Sequence, residues 1–215
     1  MPLQHLKNQL GRKILPLFSA SSLLMAAANL HAEDFSVTRS AYAYAPDDNR
    51  LLYIEKHEEI WRENKLHRSL VRYFSPENKL LAEKKIDFTQ SSTAPTFELN
   101  DLRDGYFEAA KPESGKIKLS ARRNAQQNLK EKLVTIPAPI VIDGGFDQFV
   151  KLRWDELQKG KVVHFNFVAP IEQDFFSFSV RKKADTRFAE RAASVLEMRA
   201  ESALVRMFVK PITLT

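Results

Sequence analysis

The chain has 215 residues, 44% of them hydrophobic, with 33 Lys and Arg against 27 Asp and Glu for a formal charge of +6, and it contains no cysteine. The missing thiols exclude a lipid-modified cysteine, a disulfide framework, thiol catalysis and a thiolate metal site. Lys7, Arg12 and Lys13 stand in the first thirteen residues without an acid, so the rest is nearly balanced at 30 against 27 and lacks the concentrated basic face of a nucleic-acid binder.

Residues 1–32 have the layout of a secretory signal peptide: a basic start, the run ILPLFSASSLLMAAANL, and Ala32 as the expected last residue before cleavage. The apolar run holds about 17 residues interrupted by Pro16, short of the roughly 20 that a spanning helix needs. No stable membrane span is therefore expected after its removal. Residues 33–215 are expected to form one exported β-rich domain, long enough for a single core.

Beyond the leader, short alternating segments dominate. FSVTRSAYAY (35–44) is rich in β-branched and aromatic residues and ends at the turn APDDN. The stretch from Arg50 fits neither period cleanly at Leu52, Glu55, His57 and Ile60 and is open to an amphipathic helix, but strand is favoured because LHRSLVRYFS (66–75) after it alternates; the two join at Glu63-Asn64-Lys65, with SPENK as the next turn. LLAEKKIDFT (80–89) places Leu80, Ala82, Ile86 and Phe88 on one face and Leu81, Glu83, Lys85 and Asp87 on the other. TFELN (96–100) is a short strand, and residues 106–123 form a hairpin about Pro112-Glu113-Ser114-Gly115. NAQQNLKEK (124–132) reads as a polar loop, and LVTIPAPIVI as an extended segment with two prolines.

The rhythm changes once. From Phe146, apolar residues recur at Phe149, Val150, Trp154 and Leu157, one face of a helix that stops at Gly160. Asp143 is the expected cap, and Gly144-Gly145 the bend that admits it. Free amides at such a start can hold an anion, but no lysine followed by Ser or Thr completes a phosphate loop, and Asp143 and Asp147 would repel the ligand. A structural helix is the expectation. KVVHFNFVAP and DFFSFSVRKK then pair as a hairpin whose alternation sets Val163, Phe165 and Phe167 beside Phe176, Phe178 and Val180. SVLEMRAES reads as a strand, ALVRMFV (203–209) as a short helix or bulged strand, and KPITLT as a closing or exposed last strand. About ten short strands with one main helix predict a mainly β (α+β) fold, a single curved antiparallel sheet or half-barrel covered by that helix.

Motifs of known chemistry are missing. HEEIW (57–61) resembles a zinc helix but has Trp61 where the second histidine belongs. No serine sits in a nucleophile elbow, no spacing pairs two carboxylates, PDDN lacks the order of a calcium loop, and no glycine-rich dinucleotide fingerprint exists. His57, His67 and His164 would matter only if the fold brought them together. RKK (181–183) and ARR (121–123) are short runs, suited at most to weak attraction for an anionic surface.

RYFSPENKLLAEKKIDF, PTFELNDLRDGYFE and IDGGFDQFVKLRWDELQKGKVVHFNF together resemble an uncharacterised family of exported proteins of Gram-negative bacteria, over most of residues 33–215. That resemblance implies a periplasmic address. The sheet with its covering helix is similar, in architecture, to periplasmic lipoprotein-carrier half-barrels of the LolA/LolB type, whose apolar concavity carries acyl chains. The expectation is a non-enzymatic periplasmic binder or carrier of a lipid or other apolar ligand, without cofactor, metal or catalytic residue. Its predicted pocket lies between hairpin and helix, at Phe165, Phe167, Phe176, Phe178, Trp154, Phe149 and Val150. The alternatives are a protein–protein interaction module in cell-envelope assembly and, third, a hydrolase.

Overall fold

A computed structural model describes residues 34–45, 47–188, 190–202 and 212–214. The expected signal peptide and the ALVRMFV segment lie outside the described residues. Eight strands follow one another as β1 (Phe35–Tyr44), β2 (Leu51–Arg62), β3 (Lys65–Phe74), β4 (Leu80–Asp87), β5 (Thr96–Asp101), β6 (Phe107–Glu113), β7 (Lys116–Arg122) and β8 (Lys130–Val134). Each pairs antiparallel with its neighbour in sequence, giving an open eight-stranded meander with β1 and β8 at its edges. Local turn chemistry sets the registers. Glu63 and Asn64 (φ 47° and 59°) close β2–β3, and Ser114 and Gly115 (φ 47° and 80°) close β6–β7, each as a two-residue loop with both residues left-handed, which matches strand twist.

The registers put Val71, Ala82, Ile86, Phe97, Ala110 and Leu119 on one face, all buried. This inner face carries the first core. The polar stretch read as a loop over 124–132 is corrected at its end, because Lys130, Glu131 and Lys132 belong to β8. As an exposed edge strand it needs no apolar alternation, so its composition conceals it.

The remaining strands form a second sheet, in the order β13 (Ile212–Leu214), β12 (Arg191–Ala200), β11 (Asp174–Phe188), β10 (Val163–Ala169), β9 (Ile140–Val141). All its pairings are antiparallel except β9 with β10. The fold is thus mainly β, as expected, with the strands shared between two sheets. The β10–β11 register is the expected one: Val163 faces Val180, Phe165 faces Phe178, and Phe167 faces Phe176. Part of KPITLT, Ile212–Leu214, pairs with β12 at the sheet edge. No helix among the described residues is long and apolar enough to cross a membrane.

The single helix expected over 146–157 is two consecutive segments, α1 (Gly145–Leu152) and α2 (Trp154–Gln158), interrupted at Arg153 (φ −103°, ψ 10°). Their apolar face packs on the five-stranded sheet, where Phe149 and Leu157 join Val163, Phe165, Val180 and Leu196 in a second core. The cap is also corrected. Gly144 occupies the N-cap, and Asp143 precedes it in a left-handed conformation (φ 39°) with its Oδ1 accepting from the Gly144 N–H at 2.7 Å. Neither Gly144 nor Gly145 has a positive φ; they are glycines because neighbours press on them. A Cβ on Gly145 would stand 2.1 Å from the Thr93 carbonyl oxygen, and one on Gly144 2.9 Å from Ile86 Cδ1. The start of α1 is thereby held against the eight-stranded sheet, by the Ile142 N–H donating to Thr93 O at 3.0 Å and by a Lys84–Asp143 ion pair at 3.0 Å.

Candidate functional site

α1 separates two openings of opposite character. On one side lies an apolar groove of about 650 Å³ between the helices and the β12–β13 edge, walled by Phe146, Val150, Trp154, Leu196 and Leu214, with Asp147, Lys151 and Ser194 as its polar lining. The helical period aims Phe146, Val150 and Trp154 one way, and strand alternation aims Leu196 from below. Trp154 remains 36% exposed, which leaves its indole available to a guest.

The seven predicted pocket residues divide. Val150 and Trp154 line the groove. Phe149 and Phe165, each 2% exposed, are packed ring to ring at 5.1 Å, with Phe146 5.5 Å and Phe178 5.9 Å from Phe165. Phe167 stands edge-on to Phe178 at 6.4 Å, and Phe176 is half-buried opposite Phe167. The seam between helix and hairpin is therefore filled by its own aromatic rings, and the open volume lies beside it. Phe146 and Leu196 had a signal in the sequence, one on the predicted helical face and the other in the alternation of SVLEM. Leu214 had only the terminal strand pattern.

On the other side of α1, a cleft of about 220 Å³ opens toward the inner face of β1–β4. Its carboxylate, Glu59, is 8% exposed and accepts from Arg39 Nη2 at 2.7 Å and Trp61 Nε1 at 3.1 Å. His57 Nε2 meets the Glu55 carboxylate at 2.8 Å. Deeper in the sheet lies the Lys84–Asp143 pair. Burial pulls on the Lys84 ammonium, but Asp143 and the Tyr73 hydroxyl outweigh it and raise its pKa, so it stays charged. Burial also raises Tyr73. Glu108 is pushed up by burial, against the hydrogen bond from Tyr106, whose own phenol is driven to about 12 by burial and by Glu108.

These polar groups are mutually engaged, and every buried side-chain nitrogen or oxygen among the described residues has a partner. His57 and His164 bond separate carboxylates, Glu55 and Glu201, and no group of three metal-ligating side chains occurs among the described residues. The amides at the start of α1 are likewise occupied, Gly144 by Asp143 Oδ1, Gly145 by Ile142 O and Phe146 by Asp143 O. An anion there would have to displace these bonds and would meet the carboxylates of Asp143 and Asp147. What the arrangement offers chemically is a dry-walled groove beside a neutralised polar network. No protein-family model, curated protein or solved structure matches the chain.

Proposed function

We propose that the chain is a non-enzymatic carrier or binding protein for a lipid or similar apolar ligand, exported to the periplasm by its N-terminal leader. The observation that carries this reading is the groove between α1–α2 and β12–β13. Its volume of about 650 Å³ falls within the ~300–1,000 Å³ of small-molecule sites, which are mostly apolar with few polar groups. An acyl chain lies along Phe146, Val150, Leu196 and Leu214, while Lys151 and Asp147 meet the polar end at the rim.

Titration with a medium-chain fatty acid tests it, followed by Trp154 fluorescence in a Trp61→Phe background, so that Trp154 is the single tryptophan. A saturable blue shift is expected, lost in Val150→Lys with an unchanged circular dichroism spectrum. No response by about 1 mM ligand, where binding is worth only about −4 kcal/mol, together with a bare mass in native mass spectrometry, would refute the assignment.

A further inference from the structure

The two edges of the eight-stranded sheet are unlike. β8 is five residues long and three of them are charged, Lys130, Glu131 and Lys132, the usual protection of an edge against strand addition. β1 is ten residues long, carries Arg39 as its one charged side chain, and has no proline. Among the described residues it pairs only with β2. Its exposed side chains include Phe35 at 45%, Tyr42 at 56% and Tyr44 at 51%. An edge of this length and composition is a template for another strand.

We propose that β1 is the docking strand for a second copy of this chain, antiparallel to its own β1 about a two-fold axis at Ser40. The symmetry supplies the argument. A two-fold perpendicular to the sheet keeps each face on its own side, so only residues of the same face oppose one another. An axis at Arg39 would set two guanidinium groups directly against each other. An axis at Ser40 is the longest register that avoids this, spanning 36–44 of the strand. It places Thr38 opposite Tyr42, a β-branched–aromatic pair that the two-fold makes twice, and sets Ser36 opposite Tyr44, Val37 opposite Ala43 and Arg39 opposite Ala41, so that no like charges are directly opposed. Arg39 remains bonded to Glu59 of its own sheet at 2.7 Å. The product is one sheet continued through both copies.

Sedimentation and light scattering of the protein recovered from full-chain expression test this, with Ser40→Glu as the variant. Within its own sheet Ser40 lies opposite Lys56, so a glutamate there gains an opposite charge and the fold is kept. Across the axis two glutamates face each other. The expected result is a wild-type dimer whose Kd rises about twofold to fivefold in S40E, the like-charge penalty for directly opposed residues, and a mixed dimer restored by combining S40E with S40K. A wild-type monomer at about 0.1 mM, an affinity no stronger than weak association, overturns the proposal. In that case protected β1 amides in hydrogen exchange assign the edge to the chain's own residues, and unprotected ones leave it to a different protein. A dimer indifferent to S40E, with β1 amides still exchanging, also overturns it.

Discussion

Gly145→Ala separates two reasons for a glycine. The backbone at 145 is compatible with alanine, and only space forbids it: the new Cβ would stand 2.1 Å from Thr93 O, 2.7 Å from Thr93 C and 3.0 Å from Pro95 Cδ. Backbone cannot rotate out of the way as a side-chain tip can. Either the helix start or the Thr93 carbonyl shifts, at about 1–3 kcal/mol for overpacking. The shift also strains the Ile142 N–H to Thr93 O hydrogen bond of 3.0 Å, worth about 1 kcal/mol. Restricting the unfolded chain returns about 0.4–1 kcal/mol. The net loss is about 1–3.5 kcal/mol, which lowers a urea midpoint by about 0.5–1.8 M for m near 2 kcal/mol/M. Gly160→Ala is the control, with φ +73° but nothing within 4 Å of its Cβ, so it costs only the left-handed backbone, about 1–2 kcal/mol. Urea unfolding followed by circular dichroism ranks the two. A Gly145→Ala midpoint at or above wild type, or above that of Gly160→Ala, would refute this account of the Gly-Gly turn.

Phe165→Ala should destabilise by about 3–5 kcal/mol, since the ring is buried among Phe146, Phe149 and Phe178. Leu152→Ala, 67% exposed, should stay within about 0.5 kcal/mol in the same denaturation assay. Glu197 is held at about 2 by hydrogen bonds from Arg199 and Arg181. A depressed carboxyl stabilises above its unfolded pKa, so Glu197→Gln should be less stable than wild type at neutral pH, with the difference vanishing as pH falls from about 4.5 toward 2 in acid titration of the folded fraction. Glu108 has the opposite sign. Its raised pKa means the folded state resists its ionisation, so Glu108→Gln should gain stability at pH 7 and lose that gain below about 4.5, the ordinary glutamate range. Equal pH dependence in wild type and variant would remove the corresponding environment from the account.

Hairpins were legible wherever one face is dry. Ala82, Ile86 and Phe88 are buried as their alternation predicts, and the facing phenylalanines of β10 and β11 occur in the predicted register. Division into two sheets was not legible, because alternation states which residues are inside and not which sheet lies opposite. The polar ends of β11 and the edge strand β8 escaped for the same reason as each other: exposed strands have no apolar period to read. The break at Arg153 falls within an uninterrupted helical pattern. For the site, the right helix and hairpin were identified, yet the number of rings needed to fill the seam depends on side-chain directions in three dimensions. The polar cleft left no trace, since Arg39, Glu59 and Lys84 are distant in sequence and meet only through strand pairing.

The order of strands in the larger sheet also bears on how the chain acquires its structure. Every pairing from β1 to β8 joins sequence neighbours, so the sheet can zip up from its N-terminal end, one hairpin after another, at low loop-closure cost. Within that span only the β4–β5 connection, through Phe88 and Ala94, packs on its inner core. Ile142 and Val168 join the core of Ile86, Phe97 and Leu119 from residues that follow it, and the parallel β9–β10 pair must wait for the intervening α1–α2 crossover. A sheet formed before residues 135–169 are in place would leave most of that apolar face open. The last third of the sequence acts as its own late-arriving cover, and truncation after β8 should give a product that aggregates more readily than the full chain.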